Sequence, residues 1–188
     1  SDIRMIKDKK ELDMLLKAAS IADEAFIHLL EDIKPGCTER SLAGRLEYYM
    51  RALGSEKASF DTIVASGVRS ALPHGMASDK VIEVGDFITF DFGAVYKGYH
   101  SDAARTHGVG EISKEAALLI ERNRESFFQG MQYARAGRRL YEISGAIGDY
   151  AESYGYGVVY DLVGHGIGTH LHEEPEIPNF RQWRRGLK

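Results

Sequence analysis

The 188-residue sequence predicts an α+β fold in which one helix–turn–helix unit occurs twice. Two stretches align at an offset of 101 residues, and in each the two end glycines lie 18 positions apart: Gly36–Gly54 and Gly137–Gly155. Apolar residues recur at spacings of three and four before and within both stretches, which is typical of amphipathic helices. Short runs of β-branched and aromatic residues favour strands. A self-similarity of this kind indicates an internal duplication.

The first copy is predicted to begin with two helices. Asp8 and Glu11 form an acidic capping-box variant ahead of apolar residues at helical spacing, and Pro35-Gly36 ends that helix. Thr38 is placed to cap a second helix, and Gly54 follows its end in the C′ position.

Two strands and a tight turn are expected next. The runs from Phe60 to Ala65 and from Asp86 to Phe90 are dominated by β-branched and aromatic residues. Lys97-Gly98 has the form of a two-residue turn between antiparallel strands.

The second copy is predicted to hold a helix from Ser113 to about Ala134, another from about Tyr141 to Tyr154, and a short strand at Val158-Val159. It lacks a counterpart of the Asp86–Asp91 strand, so we expect the chain to stop where the second half of a sheet should begin. We interpret residues 1–188 as one domain, with repeat one over about 6–110 and repeat two over about 111–188. A basic cluster near the end predicts a solvated loop: Arg181, Arg184, Arg185 and Lys188, beside Trp183.

The composition is that of a soluble globular protein, with 44% hydrophobic and 28% charged residues. A formal net charge of −4 does not favour nucleic acid or an anionic membrane as a partner. The single cysteine, Cys37, cannot form an internal disulfide and indicates a reducing compartment, so we expect a cytoplasmic protein. No apolar run approaches the roughly 20 residues that a membrane span needs.

Two aspartates are candidates for a site. If Lys97-Gly98 is the hairpin turn, Gly93 faces Asp102, and Asp91 lies two residues from Gly93 on the same face. Two like charges on one face are unfavourable unless cations or a shared proton offset them. A bridging metal pair does so, although two ordinary strand-end aspartates in solvent remain the alternative.

Three histidines lie beside or near glycines. His165 stands in Gly-His-Gly-Ile-Gly, His172 follows seven residues later, and His74 precedes Gly75. Flanking glycines let the backbone approach closely and leave the ring accessible, as a ligand or catalytic base requires. For any one of these rings taken alone, a hydrogen-bonded, half-buried histidine is the simpler interpretation. Carboxylates with one or two imidazoles suit Mn, Co, Fe or Zn, and such a site hydrolyses substrates with a metal-activated water.

These motifs resemble the pita-bread metallopeptidases, the family of methionine aminopeptidases, aminopeptidase P and prolidase, whose fold is a pseudo-twofold duplicated α+β unit. The resemblance implies that Asp91 in Phe-Asp-Phe-Gly, Asp102 in Ser-Asp-Ala-Ala-Arg-Thr and His165 are ligands of a dinuclear centre of divalent metal ions. His74 and His172 match the family's two non-ligand histidines, which contact the substrate and stabilise the tetrahedral intermediate.

Two departures from the family pattern are informative. The family's remaining ligands are two glutamates on C-terminal strands, and no position among these residues matches them, which predicts an incomplete second half. The two halves also resemble different branches: Leu72-Pro-His-Gly looks like prolidase and aminopeptidase P, whereas Glu173-Glu-Pro-Glu-Ile looks like bacterial methionine aminopeptidase. We therefore expect a recombined or engineered chimera with its junction near residues 91–110.

The resemblance implies a metallo-exopeptidase that acts on peptide N-termini, either at methionine or at Xaa-Pro. The unmatched glutamates leave open whether this chain is an active enzyme. One alternative is a non-catalytic peptide-binding or interaction module. Another is a fold fragment that a second chain completes, because missing strands would expose a sheet edge and favour a homodimer.

Overall fold

The computed structural model describes residues 2–182, 186 and 187, and the chain in it divides into two compact units. Unit 1 comprises the chain up to Ser113 together with Ile167–Glu173. Unit 2 comprises Lys114–Gly166 and the chain from Glu174 onward. None of the described helices is both long and apolar enough to cross a membrane.

Both predicted helix caps of unit 1 are confirmed. The Asp8 carboxylate accepts a hydrogen bond from the Glu11 N–H at 2.9 Å, and the Glu11 carboxylate accepts one from the Asp8 N–H. Thr38 Oγ1 accepts a hydrogen bond from the Ser41 N–H, and Gly54 adopts a φ of 105° just after the second helix. The helices are α1 (Asp2–Met5), α2 (Lys9–Leu30) and α3 (Glu39–Ala52).

A three-stranded antiparallel sheet and a short ribbon complete unit 1. The sheet has the order β1-β2-β5, and β3 pairs with β4 across the turn at Lys97-Gly98. The first strand begins three residues later than predicted, since Phe60, Asp61 and Thr62 lie outside the ladder. The strands are β1 (Ile63–Ser66), β2 (Phe87–Phe92), β3 (Val95–Tyr96), β4 (Tyr99–His100) and β5 (Ala103–Gly108).

The core of unit 1 lies between the helices and one face of this sheet. Burial alternates along β2, where Ile88, Phe90 and Phe92 are fully buried. Phe26 of α2 packs edge-on against Phe90 and stacks on Phe92, with ring centroids 5.3 Å apart in both pairs. Leu42 and the other apolar residues of α3 complete the same cluster. Aromatic burial of this kind fixes which face of β2 points inward.

Unit 2 contains a packed helix pair and a two-stranded ribbon. The predicted strand at Val158-Val159 is wrong: these two residues form no ladder, and the ribbon begins later. The Gly148 position packs against the Asn179 carbonyl oxygen, where an added Cβ would lie 2.9 Å away. The elements are α4 (Lys114–Met131), α5 (Leu140–Ser153), β6 (Gly164–Gly166) and β7 (Glu173–Ile177).

Arg181, the first basic residue of the predicted loop, is exposed as expected and forms an ion pair with Asp149 of α5, which is itself about half exposed. The other basic positions lie outside the described residues: Arg184, Arg185 and Lys188, with Trp183.

The two helix pairs match at the offset found in the sequence. The helices α3 and α5 each have 14 residues, and both begin and end 101 positions apart. All four flanking glycines have positive φ: 96° at Gly36, 105° at Gly54, 87° at Gly137 and 80° at Gly155. That these similarities reflect a duplication, with a division near residue 110, stays a prediction.

The hairpin register depends on a close backbone contact at Gly93. A Cβ at this position would overlap the Ser101 carbonyl oxygen, so we expect Gly93→Ala to lower the free energy of unfolding by about 2 kcal/mol or more. Gly44→Ala is a matched control in the exposed middle of α3, where an added Cβ meets nothing within 4 Å. It should raise stability by about 0.5–1 kcal/mol in the same urea titration. Equal effects of the two changes would contradict this packing.

Candidate functional site

The hairpin register puts the two candidate aspartates on one face of the sheet. Tyr96 pairs with Tyr99, as predicted, and the ladder of β2 and β5 pairs Asp91 with Ala104. The same register, continued past the strand ends, brings Asp102 opposite Gly93. Diagonal neighbours of this kind lie about 7–8 Å apart. Because the other face of β2 is buried, both carboxylates belong to the face that points away from the core.

The loop that carries His74 borders the same sheet. Met76 forms an antiparallel bridge with Ile63 of β1, and Ile63 pairs with Asp91 on its other side. Directly opposed residues in antiparallel pairs share a face, so Met76, Ile63 and Asp91 form one row across unit 1. Gly75 is buried, and a Cβ there would lie 2.9 Å from the Ala65 Cβ. His74 itself is exposed, two residues from that row.

The loop that carries His172 is attached to unit 1 at both of its ends. The His100 N–H of β4 donates to the Gly168 carbonyl oxygen at 2.9 Å. At the other end Lys7 Nζ lies 3.0 Å from Glu173 Oε2, and each of these two side chains is only 9% exposed. His172, which precedes Glu173, is exposed. Two long-range contacts thus define a strap, residues 167–173, that presents His172 from unit 1.

The Glu173 carboxylate is held in its charged form. Burial raises the pKa of this carboxyl, but the hydrogen bond from the His170 N–H and the nearby Lys7 ammonium outweigh it and keep the pKa below its usual value. Such a carboxylate stabilises the fold above its unfolded pKa of about 4.3, and this contribution disappears as the pH falls through the lower folded pKa.

His165 lies on β6 and belongs to unit 2, whereas the other four candidate residues belong to unit 1. Its Nδ1 lies 2.8 Å from the Gly166 carbonyl oxygen. Since a carbonyl only accepts, Nδ1 is the donor of this contact. Histidines that ligate metals commonly donate their other ring N–H to a backbone carbonyl in this way.

The donor chemistry of each unit, taken by itself, suits a divalent ion. Asp91 and Asp102 offer carboxylate oxygens on a shared face of unit 1, and His165 offers an imidazole in unit 2. Within residues 2–182, 186 and 187, however, no three His, Cys, Asp or Glu side chains are grouped closely enough to hold a metal ion. The described residues therefore supply partial donor sets rather than a closed coordination shell.

The long-range partners of three charged residues escaped sequence reasoning. Lys7 and Glu173 are 166 residues apart, and Glu39 reaches its partners across 27 and 39 residues. Local spacing carries no signal for such pairs. The one sequence rule that applies is that charged side chains are rarely buried without a partner. Using this rule requires knowing which residues are buried, and only the fold shows that.

Comparisons with known proteins identify the class. A family model, metallopeptidase family M24, matches residues 13–188. The chain is 44% identical over 176 residues to "Uncharacterized peptidase YqhT" of Bacillus subtilis (strain 168), which covers 93% of this chain and 50% of that protein. It is 42% identical over 190 residues to a methionine aminopeptidase of Clostridium acetobutylicum, covering 98% of this chain and 76% of that protein.

The fold comparison agrees. A prolidase structure from Pyrococcus furiosus superposes with a TM-score of 0.90 at 41% identity, over 96% of this chain and 54% of that one. This chain therefore belongs to metallopeptidase family M24, and the predicted α+β pita-bread fold is confirmed. It spans about half the length of YqhT and of the prolidase. Each alignment crosses residues 91–110, so the chimera stays a prediction.

The strap provides a test of how His172 is held. In Lys7→Met the Glu173 carboxylate keeps its charge but loses its cation in a largely buried site, and we expect a loss of about 3 kcal/mol at pH 7. The exposed Lys10→Met change in α2 is the matched control and should stay within about 0.5 kcal/mol. In Lys7→Met with Glu173→Gln, the buried charge is gone and most of the loss should be recovered. Equal stability of the two single variants in urea would show that the pair does not hold the strap.

Proposed function

We propose that this chain carries the greater part of the active site of a metallo-exopeptidase that hydrolyses the first peptide bond of a peptide. The observation that supports this most directly is the shared face of Asp91 and Asp102, bordered by the His74 loop through the Met76–Ile63 bridge. Membership of metallopeptidase family M24 supports the proposal that this face binds metal ions.

Each residue has a proposed role. Asp91, Asp102 and His165 would hold divalent metal (two ions, of Mn, Co, Fe or Zn), which would supply a Lewis acid and an activated water. His74 and His172 contact the substrate: their imidazole N–H groups donate to the scissile carbonyl oxygen and stabilise the negative charge that develops there. The exposure of both rings suits groups that meet a peptide entering from solvent.

The substrate class of this chain is proposed from the names of its relatives. The relatives include a methionine aminopeptidase and an Xaa-Pro dipeptidase of Pyrococcus furiosus. We propose peptides with N-terminal methionine or with proline in the second position as the two substrates to compare. A cytoplasmic location, inferred from the lone Cys37, stays a prediction.

We further propose that residues 1–188 alone bind metal weakly and turn over slowly. Only three of the five ligand positions of the family pattern are matched in them. We expect turnover of Met-Ala and of Xaa-Pro dipeptides with added Mn²⁺ or Co²⁺ at least about a thousandfold below the enzyme median of about 10 s⁻¹. Ordinary turnover of either peptide by the purified chain would contradict this expectation.

Metal binding can be tested without activity. In a calorimetric titration with Mn²⁺ we expect weak binding by the wild type, and loss of the binding heat in Asp91→Asn and in Asp102→Ala. Asp13→Ala removes an exposed carboxylate of α2 and should leave the titration unchanged. A titration that is identical in all four proteins would assign the ion to another site.

A second candidate function is self-association through the edge of the sheet. Within the described part of the chain β5 pairs with β2 only, and Ala104, Arg105 and Thr106 are exposed. An unpaired edge of this length is a template for another strand. We expect a dimer by size exclusion with light scattering, and more monomer in Thr106→Lys but not in the control Thr169→Lys. A monomeric wild type over the whole concentration range would contradict this candidate.

A further inference from the structure

A fully buried carboxylate outside the candidate site connects the two ends of the His74 loop. Glu39, the first residue of α3, has no solvent-exposed surface. A buried charge is costly unless hydrogen bonds satisfy it. Five do so here: Ser66 donates its N–H and hydroxyl to Oε1, and Ser78 donates the same two groups to Oε2, which also accepts from Arg69 Nε.

These five bonds close a loop. Ser66 is the last residue of β1, and Ser78 follows the turn that contains His74, so one carboxylate joins both ends of residues 67–77. The donor distances to Glu39 run from 2.6 Å for the Ser78 hydroxyl to 3.1 Å for its N–H and for Arg69. Arg69 also donates to the Met76 carbonyl oxygen at 2.7 Å. The guanidinium therefore links the carboxylate to the residue that bridges to β1.

Charge and helix geometry keep the carboxylate ionised. Burial raises the pKa of Glu39, but the hydrogen bonds from Ser78 and Ser66 outweigh it and hold the pKa below its usual value. The position at the start of α3 adds the favourable end of the helix dipole. A neutral amide in the same place could accept bonds at only one of the two sites, because its NH₂ group would face donors.

We propose that Glu39 is the positioning residue of the His74 loop. Its carboxylate fixes residues 67–77 at both ends and through Arg69, and thereby sets where His74 lies relative to Met76, which is in register with Ile63 and Asp91. The catalytic meaning of this placement rests on the proposed function, in which His74 contacts the substrate. The positioning itself is a property of unit 1 and is measured without substrate.

The test compares two variants that remove different bonds of this network with a control that weakens only the cap of α3. Glu39→Gln replaces two acceptor sites by one, whereas Arg69→Met removes the arm to Met76 and leaves the serine bonds intact. Thr38→Ala is the control, because it removes the adjacent helix cap, which touches Ser41 and not the loop. Amide hydrogen exchange is followed at Leu72, Gly75 and Met76, whose N–H groups bond within the loop, together with the NMR signals of the His74 ring.

In Glu39→Gln we expect exchange at these three amides to rise by about tenfold or more relative to amides in the middle of α2, and the His74 ring signals to shift. Arg69→Met should give the same pattern to a smaller degree, which keeps the test valid if Glu39→Gln does not fold. Thr38→Ala should accelerate exchange in α3 and leave the loop and the ring signals as in the wild type.

The proposal is overturned if amide exchange in the loop and the His74 ring signals are the same in Arg69→Met, Glu39→Gln and Thr38→Ala. Glu39 would then act only through the stability of α3. The failure of the proposed function looks different. In that case the exchange pattern appears as expected, while Mn²⁺ binding ignores Asp91 and Asp102.

Discussion

The antiparallel register between β2 and β5 is the constraint on which the candidate site depends. Because side chains alternate along a strand, a slip by one residue would turn Asp91 toward the core and Phe92 toward solvent. The turn limits such a slip: Lys97 and Gly98 have φ values of 49° and 77°, the combination that two-residue hairpins of type I′ require. The buried rings of Phe90 and Phe92 oppose it from the other end, since both pack on Phe26.

Long-range charged contacts then set the loops that surround this sheet. Two surface loops carry exposed histidines, and an exposed ring has little packing of its own to fix it. Both loops are anchored near their ends by carboxylates with little or no exposure, Glu39 for one and Glu173 for the other. A buried carboxylate with several hydrogen-bond donors favours one geometry. Each hydrogen bond that is lost leaves part of its negative charge unsatisfied where water cannot replace the donor. The sheet is thus the rigid part of the site in unit 1, and the two carboxylates hold the loops that carry His74 and His172.

Much of this arrangement was predictable from local sequence signals. The caps at Asp8 and Thr38, the turn at Lys97-Gly98 and the facing of Gly93 and Asp102 all follow from rules about residues close in sequence. The strand at Val158-Val159 was wrong, since β-branched residues favour strands only where a partner strand is present.

The remaining features lie beyond any rule of spacing. The bridge of Met76 to Ile63, the five bonds of Glu39 and the pairing of Lys7 with Glu173 join residues that the fold alone brings together. Burial decides their importance, and burial is a property of tertiary structure rather than of the residue type.

The central claim is that the register of unit 1 gathers metal-binding carboxylates on one face. Backbone amide NMR spectra recorded with small additions of Mn²⁺ test it most directly, because the paramagnetic ion broadens signals near its site. The account predicts that broadening is centred on the amides around Asp91 and Asp102 and extends to the His74 loop, while the amides around Asp13 in α2 keep their intensity. Broadening centred on other carboxylates, with the β2–β5 hairpin unaffected, would contradict it.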